Sequence, residues 1–385
     1  MINTAYLKIP KEIRFGIGAA DFLSDIVNSY RAEKVLLISD QVLESIGIAP
    51  QIKQGLQEGG SEVEVFLDVE PEPSIDNVIP CLSTAKSNMP DVIVGLGGGS
   101  VLDISKAVAM LLKNPGSVED YLGTGLVKQR GIPTVLLPTT SGTGAEITPN
   151  ALFYIPQSKA KKAIVSEHII PDAVVIDPKL SISAPPGLTA ATGLDALCHA
   201  IESYTGLNAT PLTELFSKEA IRQIGKNLRT AVFHGENIEA RKGMALGSLY
   251  AAIAIANAGT NAVHALAYPL QGINRIQHGV ANSLLLPYVM SFNMIGDVEK
   301  FSKIAELLGV PISHLSKRAA AESAVGFCKK LSEDIRIPQH MREVGVKEGQ
   351  IGELVAGALN VQRLLDNNPR PIAKFDIENI YRKAL

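Results

Sequence analysis

The sequence predicts an α/β protein of two domains: an N-terminal Rossmann-like domain with a mostly parallel sheet, followed by an all-α helical domain. Three observations predict this fold class: a length of 385 residues, a first half in which short β-branched runs alternate with helical patterns, and a second half without strand signals. One domain normally has roughly 100–200 residues, so two are expected. Prolines in IDPKLSISAPP stop both strand and helix, which places the boundary there and gives domains 1–181 and 182–385.

The predicted strands are short runs, most of them apolar throughout, as expected where helices cover both faces of a sheet. They are KVLLIS (34–39), VEVFL (63–67), DVIVGL (91–96), IPTVLL (132–137) and AVVID (173–177). Helical patterns lie between them near 41–58, 75–87 and 100–113, and this alternation indicates a parallel sheet. From about Pro185 onward, apolar residues recur at three- and four-residue spacing and predict helices alone.

Composition argues against several classes of protein. A net charge of -3 and a pI near 6.2 provide no basic surface for a nucleic acid, so small molecules are the expected partners. No apolar run reaches the ~18 residues that cross a bilayer, and the first residues lack a secretion-signal pattern, so we expect a cytoplasmic protein that binds no membrane. Cys81, Cys198 and Cys328 are far apart, which is typical of reduced thiols, and Cys198 is expected in the core.

Two glycine-rich turns directly follow predicted strands. In GLGGGSVLDISKA, Gly97, Gly98 and Gly99 allow a ligand to approach the backbone, and the next helix offers free N–H groups to a phosphate. Ser100 and Asp103 also fit a capping box for this helix. A tight turn without a ligand explains the motif equally well, and the spacing matches neither the Rossmann fingerprint nor a P-loop.

The second turn, PTTSGTGAEIT (138–148), supplies the hydroxyls of Thr139, Thr140 and Thr143. Both turns lie at the carboxyl ends of predicted parallel strands, where open α/β sheets bind dinucleotides, so the pair favours a dinucleotide. Asp40 ends the strand KVLLIS, where it can accept hydrogen bonds from a ribose, cap the following helix, or do both.

Four polar residues lie in apolar helical segments of the second half. In TGLDALCHAIESY (192–204), Asp195 and His199 are four residues apart and share one helix face. Taken alone, this pair is most simply explained as a buried ion pair or a hydrogen-bonded core histidine. His264 and His278 also lie in apolar surroundings, where an unpaired imidazole is costly, and this weighs against that simple explanation.

Together these motifs resemble the iron-containing (group III, metal-dependent) alcohol dehydrogenases, which have a dehydroquinate synthase-like architecture. The likeness covers nearly the whole chain and is carried by GGGS (97–100) with Asp103 and Lys106, PTTSGTGAE, PDAVVIDP, TGLDALCHAIESY, His264, QHG (277–279) and NPR (368–370). The resemblance implies a homo-oligomer, a dimer or larger. It also implies a divalent metal, Fe²⁺ first with Zn²⁺ as the alternative, bound by Asp195, His199, His264 and His278.

By the same resemblance, NAD is the expected cofactor, and Asp40 favours it over NADP by repelling a 2′-phosphate. The residues assigned to the cofactor are Asp40, Gly97, Gly98, Gly99, Ser100, Asp103, Thr139, Thr140, Thr143, Lys162 and Leu180.

The implied activity is reversible hydride transfer between NAD and a primary or secondary alcohol, or a hydroxy acid, with the metal as Lewis acid on the substrate oxygen. His278 and Tyr268 are assigned to catalysis. Tyr268 stands where family members often carry a second histidine, which weakens assignment to the diol and ethanol dehydrogenases. A hydroxyacid–oxoacid transhydrogenase and a maleylacetate reductase-like enzyme stay open. So does a dehydroquinate synthase-like lyase, although the sequence offers no basic cluster for its substrate.

Overall fold

The computed structural model describes residues 4–157 and 160–385, and these divide into two compact units. The α/β unit comprises Lys8–Thr140 and Gly144–Ser183. The helical unit comprises Ala184–Leu385 together with residues 4–7 and the short segment Ser141–Thr143.

In the described part of the α/β unit there are nine strands, and six of them form one parallel sheet in the order β1-β9-β6-β4-β2-β3. The strands are β1 (Glu12–Phe15), β2 (Lys34–Ile38), β3 (Glu62–Phe66), β4 (Val92–Gly97), β5 (Gly123–Thr124), β6 (Thr134–Pro138), β7 (Asn150–Ile155), β8 (Ala160–Val165) and β9 (Ala173–Ile176). All five predicted strands lie in this sheet, so the prediction of a parallel sheet is confirmed. Sequence reasoning missed β1, an edge strand that pairs only with β9 and has no fully buried residue.

A second sheet, in the order β5-β8-β7, was also missed. Strands β7 and β8 form an antiparallel pair, in register from Asn150 opposite Val165 to Ile155 opposite Ala160. The run ALFYI of β7 is apolar throughout, but only alternate residues are buried, namely Ala151, Phe153 and Ile155, whereas the central strands of the main sheet are buried on both faces.

The helices of the α/β unit are α1 (Leu23–Ser29), α2 (Gln41–Ser45), α3 (Ile48–Glu58), α4 (Val78–Asn88) and α5 (Gly99–Leu111). The helix predicted at 41–58 is two helices, because Gly47 between them adopts a left-handed φ of 85°. The segment predicted at 75–87 begins with a 3-10 turn, Ile75–Asn77, before α4. The third predicted helix is α5.

Throughout 184–385, all of which is described, the secondary structure is helical without a strand, as predicted. The helices are α6 (Pro186–Thr205), α7 (Pro211–Phe233), α8 (Ile238–Ala258), α9 (Ala262–Asn274), α10 (His278–Asn293), α11 (Val298–Leu307), α12 (Lys317–Asp334), α13 (Ile351–Leu359), α14 (Gln362–Leu365) and α15 (Lys374–Ala384). Helix α6 packs against α7, α8 and α10.

Over the described residues, no single helix has the length and apolar character needed to span a bilayer. Only α8 and α9 together meet these criteria, and they are bent by 98° relative to each other.

Candidate metal centre and cofactor turns

Four predicted ligands converge inside the helical unit. One ligand atom from each of Asp195, His199, His264 and His278 lies within 4.8 Å of the others. Asp195 and His199 share a face of α6, His264 lies in the first turn of α9, and His278 is the first residue of α10. The carboxylate of Asp195 lies 3.9, 3.8 and 3.7 Å from the Nε2 atoms of His199, His264 and His278.

Each imidazole is oriented by an acceptor at its other ring nitrogen. Nδ1 of His199 donates to the backbone carbonyl of Gly142 at 3.2 Å, and Nδ1 of His278 donates to Oε1 of Gln271 at 3.0 Å. Nδ1 of His264 donates to the carboxylate of Glu202. Because these acceptors hold the ring proton of each neutral imidazole on Nδ1, the three Nε2 atoms face the interior of the cluster as acceptors.

The interior of the cluster is therefore rich in acceptors. The Nε2 atoms of His199 and His264 lie only 3.0 Å apart, and the buried Oδ2 of Asp195 has no hydrogen-bond partner. The side-chain nitrogen of Asn282 lies 2.7 Å from Oδ1 of Asp195 and 3.0 and 3.1 Å from Nε2 of His264 and His278, but its two protons cannot satisfy every acceptor. Three imidazoles and one carboxylate fit a divalent transition-metal ion.

Electrostatics within the cluster also suit a cation. Burial alone would raise the pKa of Asp195, but the three imidazoles and the hydrogen bond from Asn282 outweigh it and lower that pKa. Burial lowers the pKa of His199, and the nearby Asp195 offsets this only in part. Burial also acts to lower the pKa of His264, but Glu202 and Asp195 outweigh it and raise that pKa. The carboxylate of Asp195 is thus held ionised.

Tyr268 lies beside the cluster, one helical turn after His264. Its ring centroid is 6.4 Å from that of His264, with the two planes perpendicular, and 6.3 Å from that of His278. The ring is partly buried against the core of the helical unit. This position is the one that the sequence predicts, and the catalytic role stays a prediction.

The α/β unit brings the two glycine-rich turns next to each other. Gly97 ends β4, and Gly98 is the N-cap of α5, with Gly99 and Ser100 in its first turn. The backbone N–H of Thr139 donates to the carbonyl of Gly97 at 3.0 Å. A Cβ atom on Gly98 would lie 3.7 Å from the methyl group of Thr140, so the second turn packs over the first.

Several side chains that the sequence assigns to the cofactor form hydrogen bonds within the α/β unit. Asp40 caps α2 by accepting from the N–H groups of Val42 and Leu43, each at 2.9 Å, which confirms the capping interpretation. The predicted capping box is wrong, because Ser100 accepts from the N–H of Glu72 at 3.1 Å and Asp103 from that of Leu152 at 3.0 Å. These partners are distant in sequence and replace the local cap.

Three further residues that the sequence assigns to the cofactor lie in separate segments of the structure. Lys162 lies in β8 opposite Phe153, and Leu180 is buried in the 3-10 turn Pro178–Ser181. Thr143 belongs to the short segment that groups with the helical unit.

Sequence reasoning missed the residues that support the metal ligands. The sequence could have identified Glu202 as a partner of the ligands, because it follows Asp195 and His199 on the same face of α6 at helical spacing. Asn282 likewise lies four residues after His278 on α10. The acceptor for His199 is a backbone carbonyl, and no residue type signals that contact.

The parallel α/β unit with two glycine-rich turns and the helical unit with an Asp/His₃ cluster agree with the class of metal-dependent alcohol dehydrogenases that the sequence resembles. The family model for "Iron-containing alcohol dehydrogenase" matches residues 10–178, and that for "Fe-containing alcohol dehydrogenase family, C-terminal" matches residues 189–385. The chain belongs to the iron-containing alcohol dehydrogenase family and is an oxidoreductase that acts on CH–OH groups.

Individual relatives agree with this membership. The chain is 37% identical to long-chain-alcohol dehydrogenase 1 of Geobacillus thermodenitrificans, covering 100% of this chain and 97% of that protein. A crystal structure of a 1,3-propanediol oxidoreductase matches with a TM-score of 0.96 and 38% identity over 100% of both chains. Sulfoacetaldehyde reductase from Bifidobacterium kashiwanohense, solved in complex with NAD⁺, matches with a TM-score of 0.88 and 29% identity over 100% of this chain and 99% of that one. The transhydrogenase, maleylacetate reductase and lyase alternatives are not favoured.

Proposed function

We propose that this alcohol dehydrogenase is metal- and NAD-dependent and interconverts an alcohol and NAD⁺ with an aldehyde or ketone, NADH and a proton. The single observation that carries the proposal is the convergence of the Asp195 carboxylate with the Nε2 atoms of His199, His264 and His278. We assign cofactor binding to the domain 1–181 and metal binding and catalysis to the domain 182–385.

A bound divalent ion supplies Lewis-acid polarisation of the substrate oxygen, and nicotinamide supplies the hydride acceptor or donor. The chain's own residues hold these groups in place. The hydrogen bonds at Nδ1 orient the three imidazoles, and Asp195 contributes a negative charge. Tyr268 lies beside the imidazoles, and we assign to its hydroxyl a hydrogen bond to substrate or water.

The turn between β4 and α5 supports the assignment of NAD. Gly98 caps α5 without a side-chain hydrogen bond, so the first N–H groups of this helix are available to a phosphate. The relative solved with NAD⁺ adds support. Asp40 caps α2 through its side chain at the end of β2, and we assign to it the preference for NAD over NADP.

We assign Fe²⁺ to the cluster by family, with Zn²⁺ as the alternative, since histidine and carboxylate ligands suit both ions. The expected substrates are small alcohols and the corresponding aldehydes or ketones, with hydroxy acids included. Relatives with names as different as methanol dehydrogenase and sulfoacetaldehyde reductase support this breadth.

The test is a screen for NADH absorbance with short alcohols, diols and 2-, 3- and 4-hydroxy acids. Protein stripped of metal is loaded without oxygen with either Fe(II) or Zn(II), and its metal content is measured. We expect NADH only with loaded protein and only in part of the substrate panel. Equal rates in stripped and loaded protein, or no NADH from fully loaded protein with any substrate, would contradict the proposal.

We also propose a homo-oligomer, a dimer or larger, located in the cytoplasm. The family resemblance supports the oligomer. Light scattering coupled to gel filtration measures the assembled mass, and a monomer would refute the oligomer.

A further inference from the structure

Glu202 is a buried carboxylate beside the metal ligands, and both its oxygens are engaged. It lies on α6, three residues after His199, and its relative exposure is 1%. Oε1 accepts from the backbone N–H of Val263 at 2.7 Å and from that of His264 at 3.4 Å. Oε2 accepts from Nδ1 of His264. One side chain thus contacts both the backbone and the imidazole of a single predicted ligand.

The acceptor at Nδ1 of His264 is a carboxylate, that of Glu202. The acceptor for His199 is a peptide carbonyl and that for His278 is an amide oxygen. Hydrogen bonds to an ionised acceptor are stronger than those to a neutral one, and a carboxylate at Nδ1 makes the opposite nitrogen a better electron donor. Glu202 therefore makes Nε2 of His264 the strongest nitrogen donor of the cluster.

Glu202 also fixes the start of α9. The first N–H groups of a helix have no acceptor within the helix, and Oε1 of Glu202 supplies one for Val263 and His264. The backbone carbonyl of Glu202 accepts from the side chain of Asn261, the N-cap of α9, at 3.0 Å. The helix that carries His264 is thereby attached to the helix that carries Asp195 and His199.

The charges of the two buried carboxylates also indicate a role for Glu202 in metal binding. Asp195 and Glu202 together carry two negative charges, which match one divalent ion inside a buried cluster. Removing the charge of Glu202 would leave a net positive charge away from water, and an uncompensated buried charge is strongly unfavourable.

We propose that Glu202 is a positioning residue of the metal centre, which holds His264 with Nε2 toward the ion and neutralises the centre. Metal affinity then depends on Glu202 as well as on the four ligands. This inference rests on the metal centre of the proposed function.

The experiment measures metal affinity directly, without turnover. Wild type and Glu202→Gln are stripped of metal and titrated with Zn(II) in competition with a coloured chelator. The absorption of bound Co(II) is a second readout. Glu146→Gln is the matched control, because Glu146 is also a buried glutamate, at 3% exposure, but lies in the α/β unit.

We expect Glu202→Gln to bind Zn(II) roughly 10- to 100-fold more weakly than wild type, and Glu146→Gln to stay within about twofold. The Co(II) bands of Glu202→Gln should move to longer wavelength, because a weaker Nε2 donor lowers the ligand field. A residue that only supported the fold would not move these bands. Glu202→Asp keeps the charge but shortens the side chain by one carbon, and should recover part of the affinity.

Wild-type affinity and an unmoved Co(II) spectrum in Glu202→Gln would overturn this inference and leave the proposed function standing. Failure of the wild type itself to bind metal would overturn both. Circular dichroism of the stripped proteins checks folding. Should Glu202→Gln not fold, Glu202→Asp takes its place, and an affinity equal to wild type in that variant overturns the inference.

Discussion

The metal cluster of the helical unit and the glycine-rich turns of the α/β unit present ligands in opposite ways. In the cluster, side chains from α6, α9 and α10 turn their donor atoms toward one another. At the β4–α5 turn, the side chains of Ser100 and Asp103 already bond to the protein's own backbone, so backbone N–H groups are what this turn offers to a ligand. The metal cluster therefore depends on the identity of its side chains, whereas the glycine-rich turns depend on the conformation of the backbone.

The pKa of a buried carboxylic acid also shifts in opposite directions in the two units. In the helical unit, imidazoles around Asp195 outweigh burial and lower its pKa. In the α/β unit, burial dominates at Glu146 and raises its pKa to about 7, although Lys106 acts against it. The difference lies in how many cationic or polarisable groups surround each carboxylate.

The largest expected effect comes from removing a ligand side chain. His264→Ala and His278→Ala should each lower activity by more than about a hundredfold and lower bound metal, because the ion loses a nitrogen donor. Elemental analysis, turnover and circular dichroism are read together. Full metal content with normal turnover in a folded variant would exclude that histidine from the site.

Glu146→Gln tests the contrast between the buried acids. The pKa of Glu146 in the folded protein, about 7, lies above its ordinary value of 4.5, so the folded state holds the extra proton between these values. Wild-type stability should therefore fall as pH rises from about 4.5 to 7, by on the order of 2–3 kcal/mol, and then level off. Urea unfolding at several pH values should show a flatter profile for Glu146→Gln. Parallel profiles would show that burial does not control this group.

Two neighbouring glycines test the backbone site. Gly98→Ala fits, since its Cβ would meet nothing closer than 3.7 Å at a φ of -76°, yet the methyl group should weaken NAD binding by about tenfold. Gly97→Ala would place Cβ 2.5 Å from Val101 and should cost about 1–3 kcal/mol in stability. Calorimetric titration and thermal unfolding separate the two effects. Unchanged NAD affinity in a folded Gly98→Ala variant would remove the turn from the cofactor site.

Tyr268 tests whether the region of the metal cluster includes a proton-donating group. Tyr268→Phe should lower turnover by roughly tenfold with metal content unchanged, because the hydroxyl is lost and the ring is kept. Tyr268→His should introduce a group that titrates near pH 6.5 into the pH–rate profile. If the Phe variant has normal turnover and the His variant an unmoved profile, Tyr268 only packs beside the imidazoles.

The smallest expected effect concerns Asp40. Asp40→Asn keeps a residue that can cap α2 but removes the charge. Loss of a repulsion of about 1 kcal/mol should shift the NAD/NADP affinity ratio roughly fivefold toward NADP. Binding competition between the two cofactors measures this ratio. A ratio that does not change, or a wild type that prefers NADP, would remove Asp40 from the ribose site.

The sequence revealed those features that leave a local pattern. Central strands such as β4 are continuous apolar runs, and Asp195 and His199 have helical spacing, so both were predictable. Strand β1 was not, because an edge strand is only partly buried. The capping box at Ser100 failed because partners distant in sequence, such as the N–H of Glu72, replaced the local hydrogen bonds. The contact between His199 and Gly142 could not be predicted, because it involves the backbone carbonyl of Gly142 and no side chain.

The hydrogen bonds at Nδ1 have a consequence for how the protein selects an ion. Each of the three rings would otherwise rotate about two side-chain torsions, and folding has already restricted that freedom. The entropic cost of ordering the ligand side chains is therefore part of the free energy of folding, and little of this cost is added when a metal ion binds. A preorganised cage of this kind discriminates between ions by size and preferred geometry, because it cannot reshape itself around whichever ion arrives.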